Sequence, residues 1–238
     1  MRVSLLVTCL GDALFPDVGV ATVRLLRRLG IEVDFPPAQT CCGQPHFNSG
    51  YHDAARDLAK HTIRTFDNGQ LIVAPSGSCA AMVKLEYPHL FQSDDRWYLK
   101  AEDLARRTHE LSDFLVNVLQ REDVGARYRG KATYHMACHL RGLGLHSEPE
   151  RLLRNVKDLE LLPLERSDEC CGFGGSFSVR YPGISGAMVG DKAALIENTG
   201  ADVVVATDAG CLMNIAGCLR RRGSPVRAMH LAEILEAT

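Results

Sequence analysis

Short apolar runs alternate with amphipathic stretches along this 238-residue chain. In its first half, the runs at residues 2–8, 31–35 and 71–74 have the length and composition of buried strands. Between them, apolar residues recur at helical spacing over residues 16–29 and 51–67. A strand–helix–strand order of this kind predicts a parallel sheet with helices on its faces.

The same order of elements returns in the second half of the chain. The predicted elements there are strands at residues 131–135, 159–164 and 202–206 and helices at residues 148–156 and 184–198. Near the end of each half, residues 111–115 match residues 231–235 in type at every position. We therefore predict an internal duplication, with halves at residues 1–125 and 126–238. The predicted fold class is α/β, with two pseudo-symmetric parallel-sheet halves that pack closely together.

The cysteines carry the clearest sign of this duplication. Cys9 precedes Cys41 by 32 positions, and Cys138 precedes Cys170 by the same 32 positions. In each half, an adjacent pair of cysteines is followed directly by glycine. Eight of the nine cysteines fall into two matching sets, a first quartet of Cys9, Cys41, Cys42 and Cys79 and a second quartet of Cys138, Cys170, Cys171 and Cys211.

Composition and charge narrow the range of functions. A formal charge of −2 gives no electrostatic reason to expect nucleic acid as a partner. No apolar run approaches the roughly 18–20 residues needed to span a bilayer, so no membrane span is expected. The apolar start of the chain leads into Cys9 and Gly11 without a small-residue cleavage site, and we interpret it as a strand rather than a secretion signal. These features favour a cytoplasmic protein whose cysteines are reduced thiols rather than disulfides.

The predicted strand ends explain how each quartet could assemble. In both halves the cysteines follow predicted strands and precede predicted helices, which places them at the carboxyl edge of a parallel sheet. Folds of this kind build their sites at that edge. Four thiolates at one place repel each other unless a cation or a cluster binds them, and thiolates are preferred ligands of zinc and of iron–sulfur clusters. We therefore predict that all eight quartet cysteines are metal ligands.

Structural zinc is the main alternative to an iron–sulfur cluster. Zinc sites usually contain closely spaced Cys-x2–4-Cys pairs, and this sequence has no Cys-x-x-Cys, which favours iron and sulfide. The ninth cysteine, Cys218, follows Cys211 by two helical turns and is interpreted as a small core residue. Five histidines flank the cysteine segments and are interpreted as surface residues or neighbours of the ligands, with direct ligation as the alternative: His46, His52, His61, His135 and His139.

These motifs carry a family resemblance over essentially the whole chain. The repeated cysteine pattern resembles the cysteine-rich domain pair found in heterodisulfide reductases and in the iron–sulfur subunits of glycolate oxidases. A short chain that holds only the two repeats is most similar to the lactate utilization protein A family. Within that group, the segments at residues 41–45, 171–175 and 208–213 are typical.

The resemblance implies a soluble iron–sulfur subunit, non-catalytic or co-catalytic, of an oxidoreductase complex. It implies one or two clusters per chain of the 4Fe-4S type, and partner subunits with which the chain oxidises L-lactate to pyruvate and passes on electrons. One departure stands out, because the full family pattern has a fifth cysteine in each repeat where this chain has Ser76 and Asp208. Two other functions stay open at this point, a thiol/disulfide reductase component of the heterodisulfide type and a structural zinc-binding module.

Overall fold

Two four-stranded parallel sheets form the framework of the protein in a computed structural model that describes residues 1–7 and 9–238. The strands are β1 (Arg2–Leu5), β2 (Glu32–Asp34), β3 (Leu71–Ala74) and β4 (Thr108–Glu110) in the first sheet, and β5 (Arg127–Tyr134), β6 (Lys157–Leu162), β7 (Val203–Ala206) and β8 (Arg227–His230) in the second. Their orders, β2-β1-β3-β4 and β6-β5-β7-β8, are the same. The predicted α/β class and the two similar halves are thereby confirmed. Thr8, at the end of the first predicted strand, lies outside the described residues.

Helices connect the strands and cover both sheets. Those of the first half are α1 (Cys9–Leu14), α2 (Pro16–Arg28), α3 (Gln44–Asn48), α4 (His52–Thr65), α5 (Gly77–Ala81), α6 (Tyr87–Leu90), α7 (Asp95–Arg107) and α8 (Leu111–Asp113). Those of the second half are α9 (Cys138–Gly142), α10 (Glu148–Arg154), α11 (Ser176–Arg180), α12 (Pro182–Asn198), α13 (Ala209–Arg221) and α14 (Leu231–Glu236). Two π-helical turns, Met82–Glu86 and Phe114–Val118, continue α5 and α8.

The predicted strands and helices are present, with shifted ends, and several further elements were missed. The last strand of each sheet, β4 and β8, is only three or four residues long and carries polar residues, so the sequence shows no apolar run there. The short helices α1 and α9 begin at Cys9 and Cys138 themselves, which were predicted only to follow strands. Each has only five or six residues, too few for a helical period to be visible.

One apolar core lies between the two sheets and belongs to both halves. Residues on one face of each sheet enter it, for example Val73 from β3 and Val205 from β7. Residues on the opposite faces, such as Ile72 and Val204, enter two separate cores, each covered by the helices of its own half. This alternation is the period-two pattern of a strand that is buried on both sides. The shared core confirms that the halves pack closely.

Helices of the two halves also pack against each other in matched pairs. Helix α2 contacts α14, and its counterpart α10 contacts α8. Closer to the cysteines, α5 contacts α9, and its counterpart α13 contacts α1. The pairs are related by a pseudo-twofold axis, so the first cysteine segment of each half lies beside the last cysteine segment of the other. Among the described residues, no helix is both long enough and apolar enough to cross a bilayer.

Candidate metal centre

All eight quartet cysteines line one cavity of about 270 Å³. The cavity lies at the carboxyl ends of the strands. In each sheet it is next to the point where the strand order reverses, between β1 and β3 in the first sheet and between β5 and β7 in the second. Each quartet contributes two buried thiols and two that are more exposed. Cys42 and Cys79 are buried in the first quartet, and Cys171 and Cys211 are buried in the second. The structure thus brings together every cysteine that the spacing singled out.

Within each quartet the thiols are close enough to change each other's ionisation. The Sγ atoms of Cys42 and Cys79 are 3.4 Å apart. Hydrogen bonds from Cys42 and then Cys9 hold the pKa of Cys41 far below its ordinary value. Hydrogen bonds from Cys138 and then Cys171 do the same for Cys170.

The neighbours of these two low-pKa thiols shift in the opposite direction. A hydrogen bond with Cys41 is the main cause that raises the pKa values of Cys9 and Cys42, and the hydrogen bond with Cys170 does so for Cys138 and Cys171. In each quartet the first cysteine of the adjacent pair, Cys41 or Cys170, is therefore the thiol that ionises most readily. A metal group that takes further thiolates must displace protons when it binds.

The glycine of each Cys-Cys-Gly sequence is required by the backbone. Gly43 and Gly172 have φ values of +89° and +79°, in the left-handed region that only glycine enters easily. In this conformation the N–H groups of both residues point back to sulfur, and each donates to the first cysteine of its pair at 3.4 Å. A Cβ atom at Gly172 would also lie 2.8 Å from the carbonyl oxygen of Ser185.

Ser76 and Asp208, which stand where the resemblance implies a fifth cysteine in each repeat, are bonded to each other across the two halves. The Ser76 hydroxyl donates to Asp208 Oδ2 at 3.3 Å, and the Ser78 N–H donates to the same oxygen at 2.8 Å. The two side chains also cap helices α5 and α13, accepting from Cys79 N–H and Gly210 N–H. Both residues thus cap helices and join the last cysteine segments of the two halves.

The carbonyl group of the second cysteine in each pair is held by a side chain from a helix. The Tyr87 hydroxyl donates to the Cys42 carbonyl at 2.8 Å, and the Asn214 amide donates to the Cys171 carbonyl at 2.8 Å.

Gln44 links the halves, with its Nε2 atom 3.2 Å from the Ser78 carbonyl and 3.0 Å from His139 Nε2. Sequence reasoning missed these anchors, because their positions inside helices carry no spacing signal.

Removing the hydroxyl of Tyr87 is expected to destabilise the first Cys-Cys-Gly loop. The Tyr87→Phe variant leaves the buried Cys42 carbonyl without this donor, which should cost about 1–2 kcal/mol of unfolding free energy. Urea unfolding of the metal-free, reduced protein measures the effect. Tyr51→Phe is the control, because the Tyr51 side chain is exposed. Equal unfolding midpoints for Tyr87→Phe and the wild type would show that this hydrogen bond does not hold the loop.

The flanking histidines have different environments. His46 and His52 are exposed, and His61 is half-buried, with its Nε2 atom 2.6 Å from the Ala38 carbonyl. His139 lines the cavity, with its Nδ1 atom 3.6 Å from Cys138 Sγ. His135 is fully buried, so a surface position, one of the two placements expected for it, is wrong.

His135 lies among the thiols of the second quartet. An imidazole nitrogen and the Sγ atoms of Cys171 and Cys211 all lie within 4.8 Å of one another. Burial lowers the pKa of His135 to about 4, and the Lys192 cation acts in the same direction. The imidazole is therefore neutral at pH 7, with one N–H to donate.

Cys218 is buried in the outer core of the second half, as expected, and does not line the cavity. The donor set that does line it fits a thiolate-ligated metal group. It offers eight sulfur atoms, backbone N–H groups directed at two of them, and the first turns of two helices, which stabilise negative charge.

Comparison with known proteins identifies the family of this chain. The cysteine-rich domain family matches residues 3–84 and 132–216, which contain the two quartets. A lactate utilization protein A from Geobacillus sp. (strain WCH70) is 54% identical over 238 residues, the full length of both chains. The chain belongs to the lactate utilization protein A family. Another member of this family, from Bacillus licheniformis, is 53% identical over 238 residues, again the full length of both chains.

A solved structure shows the same fold at low sequence identity. A hypothetical protein from Helicobacter pylori superposes with a TM-score of 0.67 and 10% identity, over 98% of this chain and 48% of that one. At this identity the likeness concerns the fold alone.

Proposed function

We propose that this chain is an iron–sulfur electron-transfer subunit of a complex that oxidises L-lactate to pyruvate. The observation that carries the proposal is the meeting of both cysteine quartets at one cavity between the halves. The named role of the relatives in lactate utilization supplies the substrate. Nine free cysteines favour a reducing compartment, so the proposed location is the cytoplasm.

In this proposal each quartet holds one cluster of the 4Fe-4S type, which takes up and releases electrons singly. Four thiolates per half are enough for such a cluster, and Ser76 and Asp208 are engaged with each other instead of adding a fifth ligand. The proposed partners are the other subunits of the lactate-oxidising complex, which would supply the electrons and accept them. The chain itself is then a non-catalytic or co-catalytic subunit.

The residues of the chain prepare the site in three ways. The Gly43 and Gly172 N–H groups donate to sulfur, and hydrogen bonds of this kind tune the reduction potential of a cluster. Cys79 and Cys211 lie in the first turns of α5 and α13, where the helix dipole would stabilise the negative charge of a bound cluster. The buried floor of the cavity keeps water from the deepest sulfur atoms.

Iron and acid-labile sulfide analysis of protein prepared without oxygen tests the proposal. We expect a brown protein whose iron and sulfide account for two clusters, with an EPR signal after reduction. Reconstituted with its partner subunits, it should be reduced when lactate is added. A colourless protein that binds zinc in fixed ratio and no iron under the same conditions would contradict the proposal and favour a structural zinc module.

The thiol/disulfide alternative gives a different result in the same preparation. A reductase of that kind should turn over a small disulfide without partner subunits, because its cysteines or cluster would act on the substrate directly. We expect no such turnover. Steady reduction of the disulfide by the isolated chain would move the function from electron transfer to disulfide chemistry.

A further inference from the structure

The two cysteine sites differ at one pair of equivalent positions on their central strands. Leu6 directly follows β1, and His135 directly follows β5. The backbone N–H of Leu6 donates to the Val73 carbonyl of β3, and that of His135 donates to the Val205 carbonyl of β7, each at 2.9 Å. The pairing of Leu5 with Val73 and of Tyr134 with Val205 gives the same register. His135 therefore occupies in the second half the place that a buried leucine occupies in the first.

The environment of His135 leaves its imidazole with the quartet sulfurs as neighbours. The side chain is fully buried, and neither ring nitrogen has a hydrogen-bond partner among the described residues. The backbone of Ser167 also lies near the imidazole, and its carbonyl accepts the Met136 N–H at 3.1 Å. A buried imidazole N–H without an acceptor destabilises the folded state, so this N–H needs an acceptor. Two side-chain acceptors, Cys171 Sγ and Cys211 Sγ, lie within the same 4.8 Å group as the imidazole.

A second difference is a buried lysine near the same site, which the Glu169 and Asp168 carboxylates also face. Gly172 packs on Ser185 and Met188 of α12, as Gly43 packs on Ala55 and Leu58 of α4. These contacts align Met188 of α12 with Leu58 of α4. Four residues further along each helix, Lys192 corresponds to Thr62. Lys192 is only 2% exposed, its Nζ atom donates to the Arg166 carbonyl, and its charge acts on both His135 and Cys171.

We propose that His135 donates its N–H to a cysteine sulfur of the second site, and that this bond holds the second site at a higher reduction potential than the first. This inference rests on the proposed function, since it concerns clusters bound by the two quartets. A donor to a ligand sulfur stabilises the reduced, more negative cluster. Electrons within the chain would then run from the first site to the second.

Redox titration followed by EPR on the anaerobically loaded, full-length protein tests the inference. We expect two midpoint potentials in the wild type. In His135→Leu the higher potential should fall while the lower stays, and His135→Gln, which keeps an N–H donor, should recover part of the loss. The exchange in the other half, Leu6→His, should raise the lower potential. Leu6 shows that a leucine is accommodated at this place in the fold, and urea unfolding of each metal-free variant checks folding.

Background variants that keep a single site assign each signal to its half. His135→Leu in a Cys42→Ser chain should shift the only remaining signal, and the same change in a Cys171→Ser chain should leave the remaining signal where it was. Unchanged potentials in His135→Leu, with two clusters present in the wild type, would overturn the inference and leave the proposed function intact. Strong nitrogen coupling in pulsed EPR would also overturn it, by making His135 a ligand. A wild type without iron would instead overturn the proposed function, and the inference with it.

Discussion

Replacing Cys171 with serine is expected to remove about half of the iron from the anaerobic protein, because one of two sites loses a ligand. The cluster becomes labile because serine or water fills the open iron position poorly. The matching change in the first half, Cys42→Ser, should remove the same amount, and the double variant nearly all. If the chain works as proposed, each single variant should also lose lactate-dependent reduction by the partner subunits. Iron content per chain, measured with sulfide and EPR, is the direct readout.

Cys218 provides the matched control for these variants, because it is buried in the outer core of the second half away from the cavity. Cys218→Ser should keep its iron and lose about 1 kcal/mol of stability through weaker packing and a newly buried hydroxyl. The informative comparison is with Cys211→Ser, seven residues earlier on the same helix. If Cys218→Ser lost iron while Cys211→Ser retained it, the ligand assignment of the second quartet would be wrong.

The stability of the metal-free protein is expected to fall as the pH rises, through the carboxyl group of Glu110. This residue is buried at the start of α8, where it accepts hydrogen bonds from Ser112 and Asp113 and its Oε1 atom has no partner in the described part of the chain. Burial is the main cause that raises its pKa from 4.5 to about 7. The folded state therefore holds this proton more tightly than the unfolded chain. The stabilisation is present in full below about pH 4.5 and is lost between pH 4.5 and 7, by about 3 kcal/mol.

Glu110→Gln should abolish this loss of unfolding free energy with rising pH, because the amide cannot ionise. Urea unfolding of wild type and variant from pH 5 to pH 8 measures the difference in free energy, which should grow in favour of the variant as the pH rises. Changes from other groups, including the buried His230 whose pKa is lowered to about 4, are common to both proteins and cancel. Glu102→Gln, at an exposed carboxylate on α7, is the control for the same substitution at the surface. Parallel curves for Glu110→Gln and the wild type would show that the buried carboxyl does not titrate in this range.

The sequence allowed prediction of those parts of the fold that repeat along the chain. Equal spacings from Cys9 to Cys41 and from Cys138 to Cys170 indicated two similar halves before any strand was placed. The apolar runs at β3 and β7 are continuous because both faces of these strands are buried, so they were visible. The edge strand β8, with Arg227 and His230 in a four-residue run, has no such pattern.

Contacts between the halves could not be predicted from the sequence, since they depend on how two finished units pack. The bond between Ser76 and Asp208 joins residues 132 positions apart, and no period relates them. The same holds for the single cavity, because two separate sites at opposite ends would give identical spacings. His135 was placed among the flanking histidines for a similar reason. Only its register beside Val205 shows that it replaces Leu6 at the floor of the second site.

The core shared by the two sheets has a consequence for the origin of the chain. A single half, folded alone, would expose the apolar face that Val73 and Leu25 now bury against the other half. An ancestor with one repeat would therefore have existed as a twofold-symmetric dimer, in which every residue occurs twice in equivalent surroundings. In a single chain that carries both repeats, this constraint is absent. Leu6 can therefore differ from His135, Ser76 from Asp208 and Glu110 from His230, and the two cysteine quartets need not have the same properties.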